Sequence, residues 1–98
     1  MHARLSRFAG LPPERIDQTI AEFEEQALPG LEQQSGFKGI VVLVDRSSGK
    51  AAAMTFWETE ADLRASDKAA DQARRQAVET AQPEREPIVD RFEVVLQK

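Results

Sequence analysis

The sequence has no cysteine, no tyrosine and no asparagine, and it carries one tryptophan and one histidine. Without thiols neither a disulfide framework nor a thiolate metal site can form. With His2 as the sole imidazole, and no convergent carboxylate set in the pattern, metal ligation has no support. No P-loop and no GxGxxG occurs, so a nucleotide cofactor has no recognisable seat. The expectation is a protein with no metal and no cofactor. Long apolar runs are missing too. The longest, Ile40 to Val44, falls far short of a membrane span, and the N-terminus shows no basic segment leading into an apolar stretch. A cytoplasmic protein with no membrane partner is expected. Basic charge is nowhere clustered. Thirteen Lys and Arg are scattered among seventeen Asp and Glu, for a net charge of −4, and this argues against a phosphate-binding surface and a nucleic-acid partner.

What remains is an ordinary globular composition, 41% apolar and 31% charged over 98 residues, expected to form a single domain over 1–98. A chain of this size buries only about 65% of the surface its unfolded form exposes, so cover from a partner subunit would stabilise it.

The first segment, "HARLSRF", alternates. Ala3 and Leu5 take one parity, Arg4, Ser6 and Phe8 the other, as in a half-buried strand. Gly10, Pro12 and Pro13 punctuate before a helix. From Glu14 the apolar residues Ile16, Ile20, Phe23, Ala27 and Leu31 form one helical stripe, which Pro29-Gly30 is expected to kink or end near Gln33. "FKGIVVLVDR" reads as a strand apolar on both parities. "RSSGK" makes a hairpin turn with Gly49 at a position that tolerates positive φ, and "KAAAMTFWE" returns as a second strand. Thr59-Glu60-Ala61-Asp62 resembles a capping box, opening a helix expected to run unbroken to about Thr80. Ala61, Ala65, Ala69, Ala73, Ala77 and Ala81 recur along it as a ridge of small residues, suited to close approach or to leaving space over the sheet. "IVDRFEVVLQ" reads as a last strand with Ile88, Phe92, Val94 and Leu96 on its apolar parity.

The order strand-helix-strand-strand-helix-strand predicts an α+β, ferredoxin-like βαββαβ fold: a four-stranded antiparallel sheet with two helices on one face. The second face is partly apolar, which a monomer rarely tolerates. A homodimer packed through the open sheet face is therefore expected. The RNA-recognition fold shares this strand order, but its aromatic motif is absent from "KAAAMTFWE".

With that order in hand, "GFKGIVVLVD", the hairpin into "KAAAMTFWETEADL" and the closing "VDRFEVV" resemble the antibiotic biosynthesis monooxygenase-like domains of the dimeric α/β-barrel superfamily. The resemblance covers roughly Ala3 to Leu96. It implies a dimeric α/β barrel and a cofactor-independent monooxygenase-like domain acting on a planar aromatic, phenolic substrate. The alternative is a non-catalytic homodimeric module that binds a small molecule on the same scaffold. The family's pocket tryptophan is matched by Trp57. Its asparagine, tyrosine and histidine have no counterpart, and the related haem-degrading chemistry is not implied, because the second helix reads "RASDKAADQ" where that branch carries its histidine.

Trp57 is thus the first candidate for substrate binding. Its parity neighbours Ala51, Ala53 and Thr55 are small enough to leave a cavity, although Phe8, Phe23 or Leu63 could fill the space and leave Trp57 a core plug. Arg74 and Arg75 are the other candidates, since one of an adjacent helical pair can turn inward to bind a phenolate or carboxylate. His2 could act as a base only if the first strand aims it inward. Glu14, Asp17, Glu22, Glu24 and Glu25 read as the wet face of the first helix.

Overall fold

A computed structural model describes residues 1–98. The elements run β1 (His2–Phe8), α1 (Pro13–Glu22), a π-helical turn (Phe23–Ala27), α2 (Leu28–Glu32), β2 (Phe37–Asp45), β3 (Lys50–Trp57), α3 (Glu60–Ala65), α4 (Asp67–Ala81) and β4 (Ile88–Glu93). The strands form one antiparallel sheet in the order β2-β3-β1-β4, with the helices on one face. This is the expected ferredoxin-like α+β arrangement. The hairpin turn is also as expected: Gly49 sits at φ 70 and its carbonyl accepts from the Leu11 amide at 3.0 Å.

The first helix is interrupted, as expected from Pro29-Gly30, but upstream of those residues. Pro29 has no N–H for the carbonyl of Glu25, and its ring crowds that carbonyl. The turn before it widens to π geometry, with the Leu28 amide bonded to the Phe23 carbonyl. The interruption therefore falls one turn before Pro29-Gly30, and helix continues through both to Glu32.

The second helix is two helices rather than one. The Leu63 carbonyl accepts from the Ser66 hydroxyl at 2.7 Å, the Ser66 amide at 3.2 Å and Arg4 Nη2 at 2.8 Å. A side chain from β1 reaching into the ladder and a serine bonding back on its own turn both break α-helical regularity. Thr59 does cap α3, accepting from the Asp62 amide at 3.0 Å.

The last strand is shorter than expected. β1 begins at His2, opposite Glu93, so beyond one bond from the Val94 amide to the Met1 carbonyl there is no strand left to pair with. Val94 to Lys98 leave the sheet, and Val95 and Leu96 are exposed.

Register sorts the side chains by face. Arg4, Ser6 and Phe8 stand beside Thr55, Ala53 and Ala51, and these beside Ile40, Val42 and Val44, all towards the helices. Ala3, Leu5, Met54, Phe56, Val41, Leu43, Ile88 and Phe92 share the other face. Two apolar clusters hold the layers together. One joins Leu31, Trp57, Leu63, Ala70 and Ala73; the other joins Leu11, Ile16 and Ala81.

Candidate functional site: a cavity between sheet and helices

Between these clusters the layers do not meet, and a cavity of about 100 Å³ remains. A bound water needs only about 10–15 Å³ of such space, so a small ring system fits. Two sets of short side chains create it. On the sheet side Ala51, Ala53 and Thr55 form the wall; on the helix side Ala70, Ala73, Ala77 and Ala81 do. The ridge of alanines from α4 thus faces the small parity of β3. Ala61 and Ala65 belong to α3, beyond the break at Ser66, and stay exposed, while Ala73 and Ala81 of α4 are buried.

From α1 and the π turn come Ile16, Thr19, Ile20 and Phe23. Along the sheet edge Ile40, Val42 and Val44 of β2 complete the enclosure. Val42 points inward yet is 40% exposed, which marks the mouth between β2 and α1. Arg46 and Asp17 form a two-bond ion pair, 2.7 and 3.3 Å, from the hairpin turn to α1. Across the far side of α1, Arg15 and Glu22 bond Thr80 and Gln26 bonds Gln76, which fixes α1 to α4.

The walls are apolar apart from Thr19 and Thr55 and, at one end, Arg4, Ser6 and Arg74. Arg4 is 1% exposed. Its Nη2 donates to the Leu63 carbonyl and to Asp67, and its guanidinium carbon lies 5.9 Å from the centre of the Trp57 ring. Its Nε and Nη1 are buried with no acceptor. Arg74 reaches Ser6 Oγ at a long 3.5 Å, and its ion pair with Asp71 is loose at 3.7 Å. Burial pushes both guanidinium groups below their ordinary values. Hydrogen bonding and charge from Asp67 offset part of this for Arg4, while the neighbouring Arg4 charge adds to it for Arg74. Asp67 is held below the usual carboxylate range: burial would raise it, but hydrogen bonds from Arg91 and Arg4 prevail.

The sequence candidates fare differently. Arg74 faces the cavity; Arg75, one residue on, is exposed and paired with Asp71 at 3.0 Å. About 100° of helix rotation separates adjacent residues, so only one of the two can turn inward. Trp57 does not line the cavity. It is fully buried behind that end, edge-on to Phe37 at 5.4 Å between ring centres, with Nε1 donating to Thr55 Oγ1 at 2.9 Å. Leu63 packs on it, whereas Phe8 and Phe23 line the cavity without filling it. His2, at the end of β1 beside Trp57 and Glu93, is not part of the wall. Arg4 and Ser6 are the residues the sequence reading passed over. Their signal was their shared parity with Phe8, which turns all three inward together.

No family model matches the chain. Among curated proteins, the uncharacterized protein Rv2558 of Mycobacterium tuberculosis (strain H37Rv) is 39% identical over 54 residues, 55% of this chain and 23% of that protein. The chain therefore spans less than a quarter of the length of such relatives. Solved structures match over nearly the whole chain. A monooxygenase from the gene ActVA-Orf6 of Streptomyces coelicolor, in complex with Nanaomycin D, superposes with a TM-score of 0.76 at 12% identity, covering 99% of this chain and 92% of that one. SnoaB, a cofactor-independent oxygenase from Streptomyces nogalater, gives 0.66 at 14% identity, covering 98% and 94%. The chain has the fold of antibiotic biosynthesis monooxygenase-like domains; identities this low establish the fold alone.

Proposed function

We propose that residues 1–98 form one domain that binds a planar aromatic phenol in the cavity between sheet and helices and holds it as the phenolate. The observation that carries this is the cavity itself, mostly apolar along its length, with Arg4 and Arg74 among the residues that line one end. An apolar wall recognises a ring, and buried positive charge lowers the pKa of a phenol placed beside it. An electron-rich phenolate can react with dioxygen directly. A ring C–H becomes C=O, one oxygen atom enters the product and the other leaves as water, with all the electrons drawn from the substrate. The protein's part in that cofactor-independent monooxygenase chemistry is to orient the ring, favour the anion and stabilise developing negative charge. Fold likeness to a cofactor-independent oxygenase supports the reading.

A second reading, a non-catalytic homodimeric small-molecule-binding module, is favoured by one specific observation. No carboxylate, histidine or tyrosine lines the cavity to accept the phenol's proton. In both readings a second copy covers the outer sheet face, closing the two sheets into a barrel, and the protein works in the cytoplasm. Titration of 1-naphthol and hydroxylated anthracenones, followed by Trp57 emission with inner-filter correction, is the test. Saturable quenching is expected. No saturable change with any planar phenol, by fluorescence or by calorimetry, removes both readings. An oxygen electrode then separates them: uptake matched to quinone formation marks the enzyme, binding without uptake marks the module.

A further inference from the structure

The positive end of the cavity holds more unmet hydrogen-bonding capacity than a phenolate can use. Resting on the binding reading above, we propose that the ligand is an aromatic acid whose carboxylate sits between Arg4 and Arg74. Three observations lead to it. Arg4 is buried with both Nε and Nη1 lacking acceptors, and leaving such charged donors unmet is costly. These two nitrogens lie on different edges of the guanidinium group, so one bound carboxylate meets one of them with one oxygen and turns its second oxygen to Arg74. Arg74, inward-facing and 15% exposed, has only a long contact to Ser6 inside the cavity. Arg74 bonds Ser6, two residues from Arg4 on β1, and all three line the cavity, so both arginines border the same end of it. A carboxylate brings two acceptor oxygens and is already ionised at neutral pH; a phenol brings one oxygen and must first lose its proton.

Local charge agrees. Four guanidinium groups, Arg4 and Arg91 on Asp67 and Arg74 and Arg75 on Asp71, share two carboxylates. That surplus of positive charge stands in a chain whose net charge is −4. An anion at this end is attracted by that local surplus. Charge-assisted hydrogen bonds to a carboxylate are also the stronger kind.

The experiment is calorimetric titration of the whole chain at neutral pH with 2-naphthoate, methyl 2-naphthoate and 1-naphthol. Naphthoate is expected to bind about 30-fold more tightly than its ester or the naphthol. Arg74→Met is expected to remove about tenfold of that preference, read as the ratio of naphthoate to ester affinity. Arg4→Met should remove the rest if the variant folds by circular dichroism; should it not fold, the Arg74→Met result alone decides. Equal binding of all three ligands overturns the carboxylate proposal and leaves the cavity reading standing. So does a naphthoate preference that Arg74→Met does not touch. No binding of any of the three overturns the cavity reading as well.

Discussion

Replacing Trp57 by phenylalanine tests what the ring does behind the cavity wall. The change removes the Nε1 bond to Thr55 and opens a void among Leu31, Leu63, Ala70 and Ala73. Urea unfolding should record a loss of about 2–3 kcal/mol, and ligand affinity should move far less than it does on removing Arg74. Asp67 makes a second test. Its folded-state pKa is depressed, so its contribution to stability is present above the unfolded carboxylate value and is lost as pH falls through the lower folded one. Asp67→Asn should therefore flatten the fall of stability below about pH 4, measured by denaturant midpoint against pH. At this scale the sequence was only half legible. Alternation along β1 and β3 tells which way Arg4, Ser6, Thr55 and Trp57 point. It does not tell how far along the strand the helix layer lifts away, and that distance decides that Thr55 lines the cavity while Trp57, two residues further on, is sealed.

At the scale of elements, the alanine ridge of α4 and the short side chains of β3 are what keep the layers apart from one another's bulk. Ala77→Leu places a branched side chain into that space from the helix side. Affinity for 1-naphthol should drop at least about tenfold, while stability stays within about 1.5 kcal/mol of the parent because the added methylenes fill an existing void. A large loss of stability with intact binding would show that the side chain had gone elsewhere. Element type and order were legible throughout, since hydrophobic period and turn chemistry are local signals. The breaks were less so. Pro29 announces a disturbance, yet its π turn lies upstream, and the break at Ser66 depends on Arg4, a residue distant in sequence whose side chain takes part of the Leu63 carbonyl.

For the whole molecule, the outer sheet face sets the next expectation. Val41, Leu43, Ile88 and Phe92 are 44 to 57% exposed there, beside half-buried Met54 and Phe56. No helix of the fold is long and apolar enough to cross a membrane, so this patch is not part of a helical span. The proposed dimer predicts a particle of twice the chain mass in sedimentation velocity, and Leu43→Lys should turn it into a monomer by placing an unpaired charge in the interface. The single bond between the Val94 amide and the Met1 carbonyl has a different kind of consequence. It brings Val94 beside Met1, so a permuted form of residues 1–98 can join these positions and open elsewhere. Residues 95–98 already supply most of the bridge. A circular permutant cut between Ser47 and Ser48 keeps every sheet partner but turns the β2–β3 pairing, now closed by a tight turn, into the most distant contact of the chain. Its equilibrium stability should change little while its refolding slows, because loop closure then precedes the pairing that rewards it; stopped-flow refolding of the two forms would measure how much of this protein's folding speed resides in one hairpin.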